Sequence, residues 1–422
     1  MRYTAKIFFL FFVAWLLVML AELGFSQTPP QWRTLFNAPT ASRMDDAFFV
    51  SPNTGWIVAN DACDTAGCYG NSIWKTTDGG ATWTLQISLG PYLRSIGFVD
   101  SLTGWVGTVF NASEVLYQTT DGGANWSLVT NIPDPKPEGI CGISVVNDSV
   151  VYASGRFFGP ARVIKTTDRG ANWTSFDLSA YAGALVDCYF FSPDSGFVVG
   201  STNGDYSNGY TRILFTSDGG NSWTTRHAGN RLGELCWKLN FLDRMNGYVS
   251  IEKFSGGPTY YLKTTDGGQT WSDQLFQNFQ YDIQGIGFLT QSKGWLGGWG
   301  GNTYETTDGG ASWHLAGFGY IVNRFRFQNQ YLAYAVGQTV YKYSFFSCTA
   351  VSGDADGSGG TPGLSDIMYL VNYVFKDGQT PSPLCKGDAT ADGSVTVPDI
   401  IYLVNYVFKG GAEPIKVETC CL

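Results

Sequence analysis

The stretch Lys75 to Trp83, KTTDGGATW, decides how this chain folds. An acid follows two hydroxyls and precedes two glycines and a tryptophan, and the phrase returns as QTTDGGANW, KTTDRGANW, FTSDGGNSW, KTTDGGQTW and ETTDGGASW. Its aspartates are Asp78, Asp121, Asp168, Asp218, Asp266 and Asp308, at intervals of 43, 47, 50, 48 and 42 residues. Only Gly79 has a non-glycine counterpart, Arg169. Paired glycines supply the positive φ that a tight hairpin turn requires. The aspartate and hydroxyl accept hydrogen bonds from turn amides, while Trp83, Trp126, Trp173, Trp223, Trp271 and Trp313 cover the turns. A catalytic residue is needed once; a residue needed in every unit is structural.

A second phrase alternates with the first: a leading hydrophobe, a polar turn, then a small residue and an aromatic. It reads FVSPNTGW, FVDSLTGW, FSPDSGF, FLDRMNGY and FLTQSKGW, with weaker copies VVNDSVVY and FQNQYLAY. The aromatics are Trp56, Trp105, Tyr152, Phe197, Tyr248, Trp295 and Tyr334, so seven units carry six boxes. The mismatch resolves at Gln31 to Leu35, QWRTL, which resembles the strand after each box. The expected fold is all-β: a seven-bladed propeller over residues 27–346, four strands per blade, closed by its own N-terminal strand. The boxes resemble the Asp-box (BNR) repeat, and their alternation with the second phrase is similar to propellers of the photosystem II assembly factor and sortilin type. The likeness covers residues 31–346 and implies that each box joins a blade's third and fourth strands.

Residues 1–26 read as a secretory signal peptide, with Arg2 and Lys6 before the apolar run Ile7 to Leu20 and small residues at Gly24 and Ser26. The expected mature chain starts at Gln27, is secreted to an extracellular or cell-surface location, and has no membrane span. A net charge of −9 argues against nucleic-acid partners. Nine cysteines suit an oxidising compartment; Cys63 and Cys68 could close one short disulfide, whereas Cys141, Cys188 and Cys236 read as buried thiols.

Chain order puts the loops before each first strand, and between strands two and three, on the face opposite the boxes. Asp45, Arg94, Cys141, Asp187, Trp237, Gln284 and Asn323, four residues before each leading hydrophobe, are expected to ring the channel there. Nearby loops add Asp46, Glu138, Glu234, Asp282 and Arg324, with aromatics including Tyr92, Phe157, Phe158, Tyr210, Phe254, Trp299 and Tyr320. Asp45, Asp187, Glu234 and Asp282 are the candidate catalytic acids if the chain is a glycoside hydrolase, since xyloglucanase-like enzymes build such sites from Asp-box propellers. Those enzymes resemble two facing propellers, and this chain has one; it also lacks the arginine cluster of sialidases. The favoured reading is non-catalytic recognition, with the acids as solvated loop ends or a mixed-charge interaction surface.

After a linker, 347–353, the text changes. Asp366–Gly378 and Asp399–Gly411 agree at eleven of thirteen positions, a duplicated loop and helix over 354–415, with 416–422 as a tail. Ile367, Leu370, Val371 and Val374 recur at helical spacing, as do Ile400, Leu403, Val404 and Val407. Asp388, Thr390, Asp392, Ser394, Thr396 and Asp399 stand at the positions of a calcium loop, and Gly393 allows its turn. The pattern resembles a dockerin, which implies calcium as cofactor and a cohesin-type or cell-surface partner. In the first loop Asp354, Asp356 and Ser358 fit, but an inserted residue delays Asp366, so this loop is the weaker calcium candidate.

Overall fold

The computed structural model describes residues 29–61, 70–254, 256–345 and 351–415. The expected signal peptide, the Cys63/Cys68 pair and residues 416–422 lie outside them. The chain divides into two compact units, one of Trp32–Ser344 and one that contains the residues from Phe345 onward. Among the described residues no helix is long and apolar enough to cross a membrane.

The first unit is seven four-stranded antiparallel sheets. Their first strands are Arg43–Phe49, Tyr92–Phe98, Gly142–Val145, Ala184–Phe190, Glu234–Phe241, Ile283–Phe288 and Arg324–Asn329. These pack against one another in a closed ring and form the channel wall. The seventh sheet takes its outer strand from the other end of the chain: Gln31–Thr34 pairs with Val340–Ser344, and the Leu35 N–H donates to the Val340 carbonyl at 2.9 Å. Closure leaves no blade at an open end of the array.

Both phrases join neighbouring blades. Trp56 stacks on Phe98 of the next blade at 3.6 Å between ring centres, and Tyr152 on Phe190, Tyr248 on Phe288 and Tyr334 on Phe49 repeat this. The glycine of each GW phrase makes room for the ring: a Cβ on Gly104 would collide with Phe98. In the boxes, both glycines have positive φ, and Arg169 adopts φ 62 in place of the first. A Cβ on the second glycine would collide with a neighbouring side chain, Leu35 at Gly80, Phe197 at Gly268 and Tyr261 at Gly310. The first position demands the same unusual backbone, which Arg169 tolerates while ion-pairing with Asp100 of the preceding blade, although a Cβ on Gly122 or Gly309 would press on the backbone carbonyl oxygen of Ser101 or Gln291, at 2.7 and 2.9 Å. At Gly80, Gly268 and Gly310 the second demands the absence of a side chain as well.

In the second unit, helix α1 (Leu364–Lys376) and helix α2 (Val397–Lys409) bury Ile367, Leu370, Ile400 and Leu403 in one small core with Ala355 and Ala389. Cys385 is buried and disulfide-bonded, whereas Cys141, Cys188 and Cys236 are buried free thiols in the propeller.

Candidate functional site

Each box is a closed hydrogen-bonding unit. In the first, the Asp78 carboxylate accepts from the Thr82 N–H, the Thr82 hydroxyl and the Thr76 hydroxyl, and the Thr76 hydroxyl accepts from the Gly80 N–H. The pattern recurs at Asp121, Asp168, Asp218, Asp266 and Asp308. Donors at Asn125, Ser222, Thr270 and Ser312 hold the carboxyls of Asp121, Asp218, Asp266 and Asp308 down to about 2. The box also receives the neighbouring blade. The Trp56 indole and Lys75 donate to the Gly122 carbonyl; Tyr152 and Lys165 do so at Gly219, and Tyr334 and Lys342 at Gly79. The seventh blade has no box, and Trp295 of the sixth donates instead to Glu305 within its own blade. His227 and His314 are ordinary strand residues.

Register defines the channel wall. Phe190 pairs with Gly196 as Phe49 pairs with Gly55, so Phe190 rather than Phe191 leads the fourth blade. Val186 therefore takes the place expected of Asp187, and Asp187 corresponds to Asp46 one step along. Bulges fall at this point in five blades, between Met44/Asp46, Leu93/Ser95, Leu185/Asp187, Cys236/Leu239 and Ile283/Gly285.

The acids here are buried strand residues, not solvated loop ends: Asp45 and Asp46 are fully buried, and Asp187 and Glu234 are 1% exposed. Asp45 pairs with Arg43 and Arg94 and accepts from Asn60 and Asn323. Arg324 reaches across the channel from the seventh blade to Asp187 of the fourth, at 2.8 and 3.1 Å, and also bonds Asp46. Asp187 accepts from the Leu239 N–H and Asp46 from the Ile96 N–H, so each acid caps a first strand of the following blade. Arg94 lies 4.5 Å over the Trp237 ring, a second contact across the channel. Burial opposes ionisation of Asp187, but Arg324 and Lys238 outweigh it and hold its carboxyl below the usual range. Glu234 pairs with Arg231.

At the rim, burial pushes the carboxyls of Asp282 and Glu252 up, and Glu252 accepts from Gln284 at 2.8 Å. Glu252, the last acid of a mostly apolar strand, had no motif to mark it, and neither did Arg43. The exposed aromatics concentrate here. Phe110, Tyr181, Tyr210, Phe254, Phe279, Trp299 and Tyr320 all lie on loops or strand ends at this rim, whereas Tyr331 is the exposed aromatic of the opposite end among the described propeller residues. Phe110, at φ 70, stacks on Phe158 at 5.5 Å; Arg156 lies 4.0 Å over Phe158, and Arg43 lies 4.6 Å over Trp299.

The second unit gathers acids in a different way. One carboxylate oxygen from each of Asp354, Asp356 and Asp366 lies within 4.8 Å of the others, and the same holds for Asp388, Asp392 and Asp399. The Thr390 hydroxyl donates to Asp399 at 2.8 Å, and the Gly393 N–H to Asp388 at 2.9 Å. Ser394 and Ser358 contribute N–H groups to Asp392 and Asp356. Asp399 divides its oxygens between loop and helix: Oδ1 accepts from Thr390, and Oδ2 from the Thr396 N–H at the start of α2. Asp366 does the same with Asp356 and Gly363, so the inserted residue does not keep it from its loop. Burial, then Asp399 and Asp392, push the Asp388 carboxyl up. Converging carboxylates with these oxygen-rich neighbours fit a hard divalent cation. The first loop differs in that Lys386 Nζ sits 2.9 Å from Asp354.

A model of the photosystem II assembly factor YCF48 family matches residues 171–278. Among solved structures, YCF48 bound to D1 peptide is similar, with 18% identity, a TM-score of 0.55, and coverage of 76% of this chain and 96% of that one. YCF48 from Cyanidioschyzon merolae has 18% identity and a TM-score of 0.55, covering 74% and 98%. The extracellular domain of BT4673 from B. thetaiotaomicron has 10% identity and a TM-score of 0.54, covering 78% and 42%. No curated protein matches the chain. These likenesses establish a propeller of the BNR type.

Proposed function

We propose that the propeller is a non-catalytic recognition module that takes a polypeptide segment on its aromatic rim. The observation that carries this reading is the division of labour at the channel: its acids are consumed by ion pairs and strand N–H groups, while exposed aromatics collect on the adjoining loops. Acids so engaged make poor proton donors, whereas rigid aromatic and arginine side chains are the usual anchors of protein interfaces. The peptide carried by a similar propeller, YCF48, is in keeping with a protein partner. The C-terminal unit we read as a calcium-binding, dockerin-like tether to a cohesin-type or cell-surface partner, with the whole chain secreted.

Selection of displayed peptides on the full chain tests the rim. Binders should lose at least tenfold in affinity to Phe110→Ala/Trp299→Ala and keep their affinity for Asp266→Ala. Equal binding to the rim variant and wild type would remove the proposal. The competing reading, a secreted glycoside hydrolase, rests on the raised carboxyls of Asp282 and Glu252. Polysaccharide turnover that disappears with Asp282→Asn would favour it.

A further inference from the structure

The channel centre carries more positive charge than its own side chains neutralise. Arg43, Arg94, Lys238 and Arg324 are buried, and the buried carboxylates beside them are Asp45, Asp46 and Asp187. Adding the partly buried Arg326 and Glu252 leaves the excess at one. The excess has a location. Lys238 is 1% exposed and its Nζ has no hydrogen-bond partner among the described residues. Arg94 is 2% exposed; its Nη1 pairs with Asp45, and among the described residues Nε and Nη2 find no oxygen acceptor, with only the Cys141 thiol beside the guanidinium. In the neighbouring arginine, Arg324, every nitrogen is bonded to Asp46 or Asp187.

A buried ammonium and half a buried guanidinium left without oxygen acceptors are a costly arrangement, because the attraction of Asp187, Asp46 and Asp45 does not replace the hydrogen bonds lost with hydration. Burial first, then repulsion from Arg324 and, more weakly, from Arg94, pull the Lys238 ammonium well below its ordinary range against the opposing pull of Asp187 and Asp46. Methionine or leucine would fill position 238 at lower electrostatic cost. Arginine and lysine donors that converge in a low-dielectric enclosure attract a small anion strongly. The enclosure limits its size, since both side chains are sealed from solvent and Trp237 covers Arg94.

We infer that the propeller channel binds one monovalent, halide-sized anion between Lys238 and Arg94, as a structural ion that fastens the fifth blade to the second across the axis. The ion supplies the acceptor that both side chains lack. It would stand to the channel as the box carbonyls stand to the lysines at the blade edges.

Thermal unfolding of the full chain, with chloride exchanged for gluconate at constant ionic strength, tests this. The propeller transition should rise saturably with chloride or bromide, and Lys238→Met should raise the half-saturating concentration at least tenfold. If Lys238 is merely buried with water as its partner, wild type will show no halide dependence and Lys238→Met will be more stable in every salt; either result overturns the proposal. Acetate acting as well as chloride would overturn the size assignment and point to a carboxylate. Should the variant fail to fold, wild-type crystals grown in bromide decide: an anomalous peak touching Lys238 Nζ and Arg94 is expected, and its absence refutes the site.

Discussion

The boxes of the propeller and the loops of the C-terminal unit use the same vocabulary, aspartate, hydroxyl and glycine in a tight turn, and arrive at opposite electrostatics. In a box, one carboxylate meets donors supplied by its own turn, and its pKa falls, to about 2 at Asp308. In the second C-terminal loop, three carboxylates converge, and the Asp388 pKa rises. An acid surrounded by donors is a finished structural element. Acids surrounded by acids are an unfinished one, which the calcium proposed above would complete.

That contrast can be broken by substitution, and the largest effect should come from the partners the boxes engage. Trp56 is fully buried, stacks on Phe98 and donates to Gly122, so Trp56→Ala should destabilise the propeller by about 3–5 kcal/mol in denaturant unfolding. Calcium should leave that loss unchanged. Next, Asp399→Ala should weaken calcium binding by about 100-fold, equivalent to about 2.7 kcal/mol, read by calorimetry on the full chain. If Asp266→Ala weakens calcium binding as much, boxes and loops are not distinct classes.

A smaller effect separates the boxes from within. The Thr264 hydroxyl accepts from the Gly268 N–H and donates to Asp266, and its side chain is buried. Thr264→Val should therefore cost about 1–2 kcal/mol, with no change in calcium affinity. The smallest effect is a dependence on pH. The folded pKa of Asp121, Asp218 and Asp308 lies below the unfolded value of about 3.9, so the box contribution is complete above about pH 4. It should fade as pH falls toward 2, where these groups protonate in the folded state too. Monitoring the propeller transition from pH 5 to 2 in wild type and Asp218→Asn checks the sign, because the variant should lose less over that window.

Much of the architecture was legible because its signals are local and repeated. Seven aromatics from Trp56 to Tyr334 number the blades, and QWRTL reveals how the seventh is completed. The channel was legible only in part. The doublet Phe190–Phe191 offers two frames, and only pairing with Gly196 selects Phe190 and moves Asp187 off the innermost position. Arg324 joins Asp46 across 278 positions and Asp187 across 137, distances over which a motif carries no information. The acceptors that Lys75, Lys165 and Lys342 find are backbone carbonyls, which no residue type announces. Lys238 is the clearest case. In sequence it is one lysine in a strand; its meaning comes from what surrounds it after the ring has closed.

The pairing of Gln31–Thr34 with Val340–Ser344 has a consequence for the order of events during synthesis. The outer strand of the seventh blade leaves the ribosome about 300 residues before its partner, a wait of about 15–60 s at ordinary elongation rates. Blades can form one after another in that interval, each from contiguous sequence, but the circle itself has to be joined late by the oldest part of the chain. The propeller is thus assembled in the manner of a clasped bracelet, and its first-made segment is the last to find its place.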